Sequence, residues 1–169
     1  MPSLITALRD VKPSVRQLAA EALGDIGSKD AVAPLIEVVT ADQSGARPEA
    51  IDALGKIGDP AAIDPIIAAL RATSVAVRKR AVGALARFRD PRAINALGSA
   101  LLDQNEEVRQ AAAMGLGEIG DDRAVPKLER LADSDASADV RAAAVQAIER
   151  IRQDQSLRPK PEQPKARRP

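Results

Sequence analysis

Five times along this chain an arginine follows a small apolar residue, and the spacing between those arginines hardly varies. Val15-Arg16, Ala46-Arg47, Val77-Arg78, Val108-Arg109 and Val140-Arg141 place them 31, 31, 31 and 32 residues apart. A period of that length calls for one supersecondary unit per repeat, stacked on its neighbours, because a single unit cannot bury its apolar face alone. Behind each arginine the same pattern returns. Small residues stand at Ala19, Ala50, Ala81, Ala112 and Ala144, and again at Ala22, Ala53, Ala84, Gly115 and Ala147. Larger ones follow at Leu23, Leu54, Leu85, Leu116 and Ile148, then at Ile26, Ile57, Phe88, Ile119 and Ile151. From Val77 the steps to positions 81, 84, 85 and 88 trace one stripe of a helix. This is the B helix of each repeat, and its stripe is expected to face the core.

A second helical pattern, the A helix, lies between B helices. Gly27, Gly58 and Gly120 follow the B stripe, where a glycine closes a helix at positive φ. Ser28, Asp59, Asp90 and Asp121 come next as N-caps. Pro60 and Pro91 sit at the first helical position, which needs no N–H. The A stripe then reads Val32/Leu35/Val39, Ile63/Ile66/Leu70, Ile94/Leu97/Leu101 and Val125/Leu128/Leu131. Pro34, Pro65 and Pro126 fall in or near the first turn and are expected to kink or shorten these helices. Leu4 and Leu8 align with Leu35 and Val39, so the first A helix enters late and should be about half length. The third repeat departs from the pattern, with Arg89 in place of the terminal glycine and Ala86 where Gly24, Gly55 and Gly117 stand elsewhere.

Two helices per repeat, rich in alanine where they touch, make an all-α superhelix, an α-solenoid of about five two-helix units. The composition agrees with it: apolar residues make up 45% but aromatics only 1%, so the core is built of thin aliphatic layers. Residues 1–152 are expected to form the array, in units of approximately 1–27, 28–58, 59–89, 90–120 and 121–152. Residues 153–169 carry four prolines, five basic and two acidic side chains and no apolar period, and are expected to form a disordered basic tail. The runs Ala-Leu-Gly-Asp-Ile-Gly, Ala-Leu-Gly-Lys-Ile-Gly-Asp-Pro and Gly-Leu-Gly-Glu-Ile-Gly-Asp-Asp resemble the HEAT-like repeats named after phycobilisome lyases. That resemblance covers residues 2 to about 152. It implies the superhelical fold, and it implies a possible accessory role, lyase-type or chaperone-like, in attaching or removing bilins.

The chemistry open to the chain is narrow. Without Cys or His there are no disulfides, no zinc–thiolate sites and no imidazole base. Acidic pairs such as Asp121-Asp122 and Glu106-Glu107 open helices, where they offset the macrodipole, and are read as caps rather than acid/base pairs or Mg²⁺ ligands. No catalytic residue, cofactor or metal is expected. No apolar run approaches the roughly 18 residues of a membrane span. The N-terminal Met-Pro-Ser-Leu-Ile lacks a basic leader, so a cytoplasmic protein is expected.

The candidate site residues are charged. The repeat arginines Arg16, Arg47, Arg78, Arg109 and Arg141 are read as a structural ladder of Arg–carboxylate bonds between repeats. Asp10, Asp103 and Asp135 lie six residues before their arginines and Asp42 five before, whereas the third repeat has Ala72. Arg78 is therefore expected to be the one left available. Residues 71–92 hold seven basic side chains against Asp90, between segments of net −4 (1–70) and −6 (103–139). Arg78, Lys79, Arg80 and Arg87, with the exposed Met114, form the expected partner-binding set. The body, residues 1–152, is nearly neutral at net −2, a weak footprint for nucleic acid.

These features point to a non-enzymatic interaction scaffold that binds a protein partner, one with an acidic surface, on the concave B-helix face. Nucleic-acid binding through the third-repeat ridge is the lesser alternative, since no aromatic is interleaved to stack bases. The chain is expected to be a monomer, or to self-associate weakly through the apolar side chains of the first half-helix.

Overall fold

The periods read from the sequence become ten α-helices among the residues that the computed structural model describes, 2–41 and 45–157. The A helices are α1 (Pro2–Ala7), α3 (Val32–Ala41), α5 (Ile63–Ala69), α7 (Pro91–Ala100) and α9 (Val125–Ser134). The B helices are α2 (Pro13–Ile26), α4 (Arg47–Ile57), α6 (Val75–Leu85), α8 (Glu106–Ile119) and α10 (Ala138–Leu157). No strand occurs among the described residues, and the half-length first helix is present in the six residues of α1.

The turn chemistry is local and repeats. Gly27, Gly58 and Gly120 adopt φ of 70°, 72° and 73°, each donating its N–H to the carbonyl four residues back. Asp59, Asp90 and Asp121 cap the next helix, accepting from the N–H of Ala61, Arg92 and Arg123. Ser28 makes no such side-chain bond. Three A helices open with a 3-10 turn (Lys29–Ala31, Pro60–Ala62 and Asp122–Ala124) before the α-helix begins. Pro34, Pro65 and Pro126 therefore lie in the first turn of the α-helical part, where a missing N–H breaks no bond. The prolines shift the start of the regular helix and do not interrupt it. In the third repeat, lacking the glycine, α6 stops at Leu85, and Arg87 and Phe88 close with bonds to the carbonyls three residues back.

Most leucines of the two stripes are fully buried, Leu23, Leu54, Leu85 and Leu116 on B and Leu35, Leu97 and Leu128 on A, while Leu70 is half-buried. B helices are also buried on a second side that the stripe does not contain, at Ala20, Ile51, Val82 and Ala113. Each of α4, α6 and α8 meets its own A helix, the B helix before and the B helix after. The stripe itself fails at the first two units, where Ile26 is 54% exposed and Ile57 half-buried.

Successive B helices pack closely along the array, while successive A helices touch only sparingly. The close spacing is set by glycine. A Cβ on Gly24 would stand 2.7 Å from the Cα of Ala53, one on Gly55 2.9 Å from that of Ala84, and one on Gly117 2.8 Å from that of Ala147. At the third crossing the two residues trade places, Ala86 facing Gly115, so every B–B crossing still holds one glycine and one alanine. Tight contact on the B side and loose contact on the A side curve the stack with B helices inward.

At the C-terminal end α10 runs past Gln153 to Leu157, further than the expected tail boundary allows. Nothing in Gln153-Asp-Gln-Ser-Leu157 breaks a helix, and the first proline downstream is Pro159. The remainder of that tail lies outside the described residues.

Candidate partner-binding face

Four of the five repeat arginines hydrogen-bond the carbonyls of the loops joining A to B. Arg78 donates from Nη1 to the carbonyls of Ala72 and Thr73 at 3.0 and 3.1 Å. From Nε and Nη2 it grips Asp103 of the next repeat at 2.8 and 2.9 Å. Arg109 repeats the arrangement, with the carbonyls of Asp103 and Gln104 and the carboxylate of Asp135, at 2.7 and 2.9 Å for the latter. Arg16 and Arg141 make the same pair of carbonyl bonds to their own loops. Asp103 and Asp135 thus serve the arginine of the preceding repeat, and Arg16, Arg78, Arg109 and Arg141 clamp their own loops by the backbone.

This corrects the reading of Arg78. It is 4% exposed and paired on both sides, so it belongs to the ladder and has no reach toward a partner. The gap left by Ala72 falls on Arg47 instead, whose buried Nε has no hydrogen-bond partner among the described residues. Asp42, the carboxylate expected in the second loop, lies outside the described residues. Burial alone would raise the Asp103 carboxyl, but the Arg78 hydrogen bond, the Asn105 N–H and the nearby guanidinium charges outweigh it and hold the group below its ordinary value. Asp135 is held low chiefly by its bond from Arg109, against burial.

The acidic flanks reach in to several of the remaining cations of residues 71–92, though to neither Arg71 nor Arg89 among the described residues. Lys79 pairs with Glu107 from the fourth repeat. Arg87 reaches Asp52 of the second at 3.0 Å, and Asp52 also takes Lys56 at 3.3 Å. Arg92 is held by Asp90 and Asp64. Among the described residues no ion pair or hydrogen bond engages Arg80, which is exposed on α6. Arg80 overlooks a shallow depression lined by Asp52, Ala76, Lys79, Gly83 and Arg87. Gly83 lines it without a side chain, and a Cβ there would meet nothing within 4 Å. One repeat on, Met114 is 51% exposed beside a second shallow groove between α8 and α10. The inner face therefore offers guanidiniums with no partner among the described residues, Arg80 on α6 and Arg150 beside the Met114 groove, together with a notch at Gly83, paired charges and an apolar contact. Phe88, the one aromatic, is buried in the core.

A family model described as HEAT repeats matches residues 1–74 and again 63–149. No curated protein matches the chain. Among solved structures, a chain of the CpcE–CpcF complex of phycocyanin lyase from Nostoc sp. PCC7120 is similar at 26% identity and a TM-score of 0.72, over 86% of this chain and 96% of that one. An engineered protein is similar at 23% identity and a TM-score of 0.67, over 88% of this chain and 78% of its own. A designed armadillo repeat protein in complex with a (KR)4 peptide is similar at 23% identity and a TM-score of 0.66, over 88% and 80% of the two chains. No helix among the described residues is long and apolar enough to cross a membrane.

Proposed function

The chain belongs to the HEAT-repeat family, and on that premise we propose that it is a non-enzymatic interaction module whose inner, B-helix face seats a protein partner. The observation that carries this reading is the notch at Gly83. It sits mid-array on the inner face, has no side chain of its own, and is overlooked by Arg80, whose guanidinium has no partner among the described residues. A partner carboxylate can meet Arg80 while an apolar side chain rests on Met114. Lys79 and Arg87, already paired, contribute by exchanging Glu107 and Asp52 for partner acids rather than as unopposed charges. Extended inner surfaces of this kind suit a segment laid across several repeats. Nucleic acid suits the face less, because Arg78, Lys79, Arg87 and Arg92 are already paired with carboxylates and the one aromatic, Phe88, is buried rather than displayed for stacking.

The test is capture of the protein partner by the wild-type chain against two charge-reversal variants. Arg80→Glu with Arg87→Glu is expected to abolish capture with melting nearly unchanged. Arg123→Glu with Arg130→Glu, on the A side of the fifth repeat, is expected to leave capture intact. Equal loss in both, or loss in neither, would refute the reading.

A second reading rests on the likeness to a chain of the phycocyanin lyase complex, which extends over 96% of that chain. An accessory role in bilin attachment or removal is checked by mixing the protein with free bilin. A red-shifted, intensified visible band supports it, and an unchanged spectrum excludes it.

A further inference from the structure

On the outer face, the first junction between A helices is closed by an ion pair. Arg9 follows α1 in a turn that bonds its N–H to the carbonyl of Thr6, and its guanidinium reaches Glu37 on α3 at 2.7 Å. Two repeats on, Arg71 follows α5 in the same turn, with its N–H on the carbonyl of Ala68. The place of Glu37 falls there on Ser99 of α7, whose hydroxyl donates back to the carbonyl of Asn95. Among the described residues no ion pair or hydrogen bond engages the Arg71 guanidinium. The other end of the same two helices is bridged, by Arg92 and Asp64 at 2.8 Å. At the second junction the two positions are Thr40 and Ala68, both neutral, so nothing is missing. The third junction keeps the cation and lacks its carboxylate.

An apolar side chain stands out at the same place. Leu102 follows α7 in the turn that Arg9 and Arg71 occupy after their helices, with its N–H on the carbonyl of Ser99. The other repeats carry Arg9, Thr40, Arg71 and Asp133 at this position, yet Leu102 is 84% exposed. With Ile67, Leu70, Arg71, Ala96 and Ser99 it lines a groove of about 240 Å³ between α5 and α7. Asp103, the acid on the rim, is committed to Arg78. Ligand pockets run to roughly 300–1,000 Å³, so the groove suits a side chain or two rather than a cofactor. It opens between the third and fourth repeats, and a further repeat stacked on either end of the array would leave it uncovered. Residues 158–169 hold one acid, Glu162, and no large aliphatic or aromatic side chain, so they lack the groups to fill it.

We propose that this outer groove docks a segment of a second protein, separate from the partner of the inner face, in which an aspartate or glutamate stands next to a large aliphatic residue. The carboxylate meets Arg71 where Glu37 meets Arg9 at the first junction. The aliphatic side chain lies against Leu102, Leu70 and Ile67 and is removed there from water. An exposed ion pair alone is weak and a single exposed leucine is ordinary. Their juxtaposition, at the junction where the internal carboxylate is missing, sets the chemistry of the occupant.

A displayed library of short random peptides tests this, selected on the wild-type chain and depleted on Ser99→Glu. That variant supplies the carboxylate internally, as Glu37 does, and so occupies Arg71. The surviving peptides are expected to carry an acid beside Leu, Ile, Val or Met, and to bind Arg71→Gln or Leu102→Arg at least about tenfold more weakly than the wild type. All three positions are exposed, so melting should be nearly unchanged in each variant. Arg80→Glu with Arg87→Glu should bind the same peptides as the wild type does, which separates this groove from the inner face. Peptides that do not distinguish the wild type from Ser99→Glu, or survivors without the acid–aliphatic pair, would overturn the proposal. Wild-type dimers abolished by Leu102→Arg would overturn it by making a second copy the occupant. Tighter peptide binding after removal of residues 158–169 would overturn it in favour of the chain's own tail.

Discussion

Ala72 is a single methyl group at a position where neighbouring loops carry a carboxylate. It leaves Arg47 with a buried Nε that has no partner among the described residues, and an unmet buried donor costs about 1–3 kcal/mol. Ala72→Asp is therefore expected to stabilise the protein by about 1 kcal/mol, seen as a higher denaturation midpoint. The gain should disappear in an Arg47→Gln background. The reverse change belongs at Asp103, whose removal strands a guanidinium that is 4% exposed. Asp103→Ala should cost about 3–5 kcal/mol, the range for a broken buried pair, read from the same midpoint. The pH dependence follows from the same bonds. Asp103 and Asp135 have folded pKa values below their unfolded ones, so their contribution is complete above the unfolded value of about 4 and lost as pH falls through the folded values. Stability should decline on acidification below about pH 4, and the decline should be shallower in Asp103→Asn.

The element scale is where the sequence was most readable. Apolar period, glycine stops and aspartate caps gave ten helices and a short first one, because those signals act within a few residues of where they stand. Contacts between repeats were less legible. A ladder between repeats is expected from the sequence, but it assigns Asp103 and Asp135 by their place six residues before an arginine, whereas they bond the arginine 25 or 26 residues earlier. The one-residue lapse at Ala72 was visible, but which arginine it deprived depends on how the loops stack. The second buried side of the B helices was missed for the same reason: Ala20, Ile51, Val82 and Ala113 sit off the stripe that a single amphipathic helix would show. A prediction at this scale separates two glycines one repeat apart. Gly55→Ala should cost about 1–3 kcal/mol through overpacking against Ala84, and Ala84→Gly should recover part of it, as the Ala86/Gly115 exchange already does at the next crossing. Gly83→Ala enters open space and should stabilise α6 by about 0.5–1 kcal/mol. If Gly83 lines the partner notch, the same change weakens capture, so stability and binding move in opposite directions.

At the scale of the whole molecule, one-sided crowding makes the curve and the curve makes the face. Gly/Ala crossings draw the B helices together, the ladder fixes the loops at one edge, and the A helices are left splayed on the outside. Charges from adjacent repeats then neutralise one another across the inner surface, so binding there depends on placement rather than on net charge. The central claim is that this inner face, and not the outer one, meets the protein partner. Photocrosslinking tests it most directly, with a photoreactive side chain placed in turn at Gly83 and Met114 on the inner face and at Asn95 and Lys127 on the outer. Adducts with the partner at Gly83 and Met114, absent at Asn95 and Lys127, are the predicted result. Adducts confined to Asn95 and Lys127 would contradict it.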